Sequence, residues 1–172
     1  MYRQTQVVRG RKRGPGFTLV EAVIALAILQ LAVLGILYTL AAGAQQSNAG
    51  DQAWRASILG VDLMQEIVRL YYQDPKFPSD FGPHGNEKTR NSYDDIADYN
   101  GYTDGPTGLT QLSGAAYPSG FSGYTRRVAV QDTTMTLTSI GRTVTGRAVT
   151  VTVMQPDGQT WQMVRFVANP TQ

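Results

Sequence analysis

The chain has 172 residues, with 15 Lys and Arg, 13 Asp and Glu, one His and no Cys, enough for one ordinary domain with an appendage. The missing cysteines and the lone histidine exclude disulfide scaffolds, thiol catalysis, Cys-based zinc sites and His-pair metal centres. The net charge of +2 hides an uneven distribution: Arg3, Arg9, Arg11, Lys12 and Arg13 stand in an acid-free start, and the remainder has 10 basic against 13 acidic residues. A short basic tail on a mildly acidic body does not make a body-wide nucleic-acid surface, so no nucleic-acid partner is expected.

Residues 1–16 form a polar, basic leader ending in Gly14-Pro15-Gly16, and this helix-breaking triplet makes Phe17 the start of a new element. From Phe17 to Ala42 the chain is apolar, interrupted by one charge, Glu21, and one amide, Gln30. Those 26 residues span roughly 39 Å as a helix, more than the roughly 30 Å hydrocarbon core. Residues 17–43 are therefore expected to cross a membrane, and the basic leader places the N-terminus in the cytoplasm.

The remainder, 44–172, is the expected extracytoplasmic head. Residues 44–73 continue as an amphipathic helix. Trp54, Ile58, Val61 and Val68 lie along one stripe with Leu59, Leu63, Ile67 and Leu70 beside it, while Asp51, Arg55, Asp62, Glu66 and Arg69 take the other face. Pro75 is expected to close it. A single helix from Phe17 to Tyr72 would run roughly 84 Å. Residues 74–123, rich in Pro and Gly, read as a turn-rich surface segment. From Tyr124 the period changes to two. Val128 and Val130, Met135 and Leu137, and Val149, Val151 and Val153 alternate with polar or small residues, and Trp161–Val167 returns after Asp157-Gly158. The stretch 124–168 is thus a β-meander with a hairpin around Gln155–Gln159. A long N-terminal α-helix packed on a small antiparallel sheet makes the expected class α+β.

Glu21 needs explanation, because an ionised carboxylate within a bilayer helix costs about 2.5–3.5 kcal/mol or more unless paired. Either it pairs inside a bundle of helices, or it lies near the interface and snorkels to water. Gln30 reads as an interhelical hydrogen-bonding residue.

The string GPGFTLVEAVIALAIL (residues 14–29) resembles the processing site of type IV pilins and type II secretion pseudopilins, in which a basic leader ends in Gly, Phe follows, and Glu is fifth in the mature chain. Here those positions are Gly16, Phe17 and Glu21. The resemblance implies a pilin-like αβ-roll, cleavage after Gly16 by a membrane prepilin peptidase, and N-methylation of Phe17. It also implies insertion in a bacterial inner membrane with a periplasmic or extracellular head, then incorporation into a pilus or pseudopilus. The partners would be other pilin subunits, met through the N-terminal helix, and the inner-membrane assembly platform. Glu21 would pair with the new amine of a neighbouring subunit and set axial register. Val61-Asp-Leu-Met-Gln-Glu-Ile67, Tyr93-Asp-Asp-Ile-Ala-Asp-Tyr-Asn-Gly101 and Thr-Val-Thr-Val-x-x-Pro-Asp-Gly at 150–158 are similar to minor pilins of the mannose-sensitive haemagglutinin pilus. No proline stands near Tyr38 and no cysteine pair closes a C-terminal loop. These departures from major pilins favour a minor pilin or pseudopilin.

Three alternatives accompany this reading. Ala42-Gly43-Ala44 could end a secretory signal peptide, but 26 apolar residues exceed the usual h-region of about 7–15. A plain single-pass anchor explains the hydropathy without explaining Glu21. A non-polymerising, membrane-anchored binding module, used in adhesion or DNA uptake, is the rival of a different class.

Asp94, Asp95, Asp98, Asn100 and Asp104 gather hard oxygens beside Gly101, of the kind calcium takes, although the spacing is not that of an EF-hand and acidic turns are common without metal. Tyr93, Tyr99, Tyr102, Tyr117 and Tyr124, followed by Arg126-Arg127, read as sheet-packing tyrosines or as a base-stacking platform, and the acidic surroundings favour packing. His84 has no catalytic constellation around it in the sequence. No cofactor and no enzymatic chemistry are expected.

Overall fold

The computed structural model describes residues 16–139 and 141–170; the basic stretch up to residue 15 lies outside the described residues. The chain divides into two compact units, Met1–Gln46 and Ser47–Gln172, three residues beyond the expected boundary. One helix, α1 (Leu19–Ile67, 49 residues), is followed by a four-stranded sheet. Its strands are β1 (Thr103–Asp104), β2 (Thr125–Leu137), β3 (Arg142–Met154) and β4 (Thr160–Ala168), all antiparallel, in the order β1-β2-β3-β4. The fold is α+β, as the change of period from 3.6 to two implies.

In the first unit α1 is apolar and exposed throughout: its most apolar 18-residue window has a mean hydropathy of 2.5 and none of it is buried. By length and composition this helix can cross a membrane. The helix begins two residues after Phe17 because Thr18 caps it. It ends at Ile67, five residues before Tyr72 and well short of Pro75. There the backbone of Tyr71 is captured by the loop, accepting the Ile96 N–H (3.0 Å) and donating to the Asp94 carbonyl (3.2 Å).

In the second unit the core lies between the end of α1 and the sheet. Ala56, Leu59, Leu63, Met64 and Ile67 pack with Val128, Val130, Val149, Val151 and Val153, joined by Ile96, Tyr99, Leu109 and Tyr124. The buried stripe is therefore the Leu59–Leu63–Ile67 row. Trp54, expected on the packed stripe, is 63% exposed, and Ile58 and Val61 are half-buried. Gly60 decides this rotation: the Trp161 ring of β4 lies where its Cβ would be, 2.0 Å from Cζ3. Glu66, expected on the polar face, is buried.

The strand reading holds for the valines, which are buried while Arg127 and Ala129 face solvent. The hairpin Gln155–Gln159 closes with Gln155 donating to the Gln159 carbonyl at 2.8 Å. Met135 and Leu137 alternate as expected, yet both are exposed, because β2 and β3 run past the end of β4. The turn-rich segment contributes β1 and three short 3-10 turns, at Arg90–Ser92, Ala97–Tyr99 and Ser119–Phe121.

Candidate functional site

Gly16, Phe17 and Glu21 sit at the head of the exposed apolar helix. Phe17 precedes the first turn and is 85% exposed, so the Gly16–Phe17 peptide lies outside the helix. Thr18 and Glu21 form a reciprocal cap. The Glu21 N–H donates to Thr18 Oγ1 (3.3 Å), while the Thr18 N–H (2.9 Å) and hydroxyl (3.0 Å) both donate to Glu21 Oε2. Glu21 is thus in the first turn, at the positive end of the helix dipole, where a carboxylate is favoured. On sequence alone Glu21 either pairs inside a helix bundle or lies near the interface; its partner within the same turn, Thr18, was in neither reading. The pattern Thr-x-x-Glu before an apolar run was the signal for this cap.

The acidic loop is split by the fold. Asp94, Asp95 and Asp98 come together, each offering one carboxylate oxygen within 4.8 Å of the others, and Asp74, Glu87 and Asp94 form a second such group. Two of the carboxylates act as caps. Asp98 Oδ2 accepts the N–H groups of Asp94 (3.0 Å) and Asp95 (3.2 Å), and Asp95 Oδ1 accepts those of Ala97 and Asp98. Asp95 also lies 3.8 Å from Arg147. Burial, then the charge of Asp98, pushes the Asp95 carboxyl up to about 6. Asp94 belongs to both groups, and its Oδ1 is buried without a hydrogen-bond partner. Calcium would find oxygen donors here, but Asp95 Oδ1 and Asp98 Oδ2 already serve the backbone.

Asp104 and Asn100 lie apart from that group. Asp104 accepts from Arg126 Nε (2.9 Å) and Nη2 and from the Tyr102 hydroxyl (3.0 Å), and Asn100 Oδ1 accepts the Val130 N–H (3.0 Å). The oxygen-rich run from Asp94 to Asp104 is therefore two structures, a capped turn and an ion pair.

The largest feature the sequence reading missed is a buried charge network beside α1. Glu66 accepts from Arg90 Nε (2.6 Å) and Nη2 and from the Tyr99 hydroxyl. Arg90 continues to the Thr110 carbonyl (2.6 Å) and lies 3.9 Å from Asp104. No short motif marks it, since its members are scattered over four segments. Tyr93, Tyr99 and Tyr102 meet edge-on, with ring centroids 4.9 to 6.3 Å apart, and Tyr99 and Tyr124 are buried. These tyrosines pack; they do not form a stacking face. His84 lies in an exposed loop, with Asp80 2.8 Å from its Nδ1.

No family model, no curated protein and no solved structure matches the chain.

Proposed function

We propose that this chain is a minor type IV pilin-like subunit of the pilin and pseudopilin class. It enters a bacterial inner membrane with its basic leader in the cytoplasm, is cut after Gly16 by a prepilin peptidase, and is methylated at Phe17. It is then built into a pilus or pseudopilus through its apolar helix. One observation carries the reading: the Gly16–Phe17 peptide and Glu21 head an exposed apolar helix whose far end packs on a small antiparallel sheet.

Each part has a physical role in this scheme. The apolar helix is soluble only in lipid or among other helices, so extraction from the membrane requires a bundle to receive it. Glu21 makes that bundle register-specific. In the precursor its carboxylate is held by Thr18, and after cleavage the Phe17 amine of a neighbour offers it an opposite charge, which a misaligned subunit would leave unpaired. In the head Glu66, Asp95, Asp104 and Asp132 pair with Arg90, Arg126 and Arg147, and this reading assigns them to structure rather than to chemistry.

Co-expression with a prepilin peptidase tests the proposal. The wild-type chain should shorten by the 16-residue leader, and Gly16→Ala should trap the full-length form. Identical sizes for the two would leave a membrane-anchored head that never polymerises.

A further inference from the structure

Gln30 stands at the middle of the apolar run, 13 residues after Phe17 and 12 before Ala42. It is exposed, and its amide has no hydrogen-bond partner among the described residues. The other polar side chains of the run are provided for. Glu21 is held by Thr18 at the helix start, and the Thr39 hydroxyl donates to the Ile36 carbonyl at 2.8 Å. Tyr38 lies toward the end of the run, where an aromatic ring with a hydroxyl suits the membrane surface.

Helix geometry then sorts the faces. At about 100° and roughly 1.5 Å per residue, Glu21 and Thr39, nine residues to either side of Gln30, both fall on the opposite face and roughly 13.5 Å away along the axis. The face of Gln30 is otherwise apolar. Val23, Gln30 and Leu37 repeat every seven residues, with Leu26, Val33 and Leu40 three residues after each, and all are exposed. That is the seam of a parallel helix pair with a single polar position, the device that fixes register and strand number. Because α1 is apolar all round, dispersion alone does not choose a face in lipid. The amide does, since an unpaired amide in hydrocarbon costs free energy.

We propose that α1 pairs within the membrane with α1 of a second copy, parallel and without axial offset, through reciprocal hydrogen bonds between the two Gln30 amides. This rests on the membrane-spanning part of the function proposed above and adds a contact made before any filament forms. The membrane and the amide together select the occupant. Copies inserted in the same direction carry Gln30 at the same depth, and the two-fold axis of such a pair lies along the membrane normal, so both helices keep their direction. An amide both donates and accepts, and so matches its own copy, whereas a carboxylate here would only accept and would repel its copy. A partner displaced by one turn, or a helix with no hydrogen-bonding group at mid-membrane, leaves the amide unpaired.

The chain has no cysteine, which makes engineered cross-links unambiguous. The full-length chain should be oxidised with copper phenanthroline, both in membranes of a host without prepilin peptidase and, purified, in phosphatidylcholine vesicles. Leu37→Cys, one heptad along the seam from Gln30, should give a disulfide-linked dimer, and Ala32→Cys, on the far side of the helix, should not. Adding Gln30→Leu to Leu37→Cys should cut the dimer about threefold or more, while Gln30→Asn should keep most of it. Equal cross-linking at the two cysteines, or no change with Gln30→Leu, overturns the proposal. So does a cross-link seen in cell membranes but absent from vesicles holding the pure chain, which would mean that a different protein fills the seam. All these variants keep Gly16 and Phe17, so shortening by the peptidase is scored separately: normal shortening without a dimer fails this inference alone, and a dimer from a chain that is never shortened fails the processing step alone.

Discussion

Arg90 grips Glu66 through two parallel N–H···O contacts although 24 residues separate them. Both side chains are less than a tenth exposed. The pair ties the last turn of α1 to the loop segment that carries Tyr99 and Asp104. Removing one partner of a buried pair leaves the other charge without compensation, which costs about 3–5 kcal/mol, whereas replacing both with apolar groups is often close to neutral. Arg90→Leu should therefore unfold the head at much lower denaturant concentration, and Glu66→Leu with Arg90→Leu should recover most of the loss. Circular dichroism of the full chain in detergent reads both. Additive losses in the double variant would show that the two residues act separately.

That pair also marks what the sequence could and could not reveal. The apolar run, the period-two strands and the Gln155–Gln159 turn are local patterns, and each maps onto α1, β2, β3 and β4. The rotation of α1 was not legible, because Trp54 and Ile58 satisfy the helical period as well as Leu59 and Leu63 do. The choice depends on Gly60 receiving Trp161, a residue about a hundred positions away. Glu66 on a helix looks like a solvated charge until Arg90 and Tyr99 are placed beside it. Asp94 to Asp104 looked like one cluster because the residues are close in sequence, yet Asp104 is drawn off by Arg126. The Thr18–Glu21 cap is local and was readable from its spacing.

Asp95 makes the head sensitive to mild acid in an unusual direction. Burial, above all, pushes its carboxyl in the fold up to about 6 from the ordinary 3.8. Between those values the folded chain holds a proton that the unfolded chain has lost, so this group's contribution falls as pH rises through the window and stays lower above it. Asp95→Asn keeps an oxygen for the Ala97 and Asp98 N–H groups without the buried charge. The variant should match the wild type near pH 4 and exceed it at pH 7 by about 1–3 kcal/mol. Melting curves from pH 4 to 7 check this, and parallel profiles for the two proteins would show that Asp95 is not the titrating group.

Gly60 is a packing choice rather than a flexible point. Alanine is a better helix former by about 1 kcal/mol, which alone would make Gly60→Ala stabilising. Its methyl, however, would lie 2.0 Å from Trp161 Cζ3, and forcing such an overlap costs about 1–3 kcal/mol. Gly60→Ala should therefore be destabilising, with Trp161→Phe in the same chain restoring part of the loss. A higher melting temperature for Gly60→Ala alone would mean that Trp161 moves aside freely.

Thr18 should decide how well the full-length chain tolerates Glu21 in lipid. Two of the three hydrogen bonds between them involve the Thr18 hydroxyl, so Thr18→Val leaves Glu21 with the Thr18 N–H alone. Loss of such a cap costs about 1 kcal/mol in water, and an unsatisfied carboxylate in hydrocarbon adds to that. The membrane-inserted fraction of the full-length chain, measured as resistance to alkaline extraction, should fall about fivefold or more in Thr18→Val. Thr18→Ser should be unaffected. Glu21→Gln added to Thr18→Val should recover insertion, because a neutral amide no longer needs the hydroxyl. If the Glu21→Gln background leaves the Thr18→Val defect unchanged, the hydroxyl acts on the helix start and not on the carboxylate.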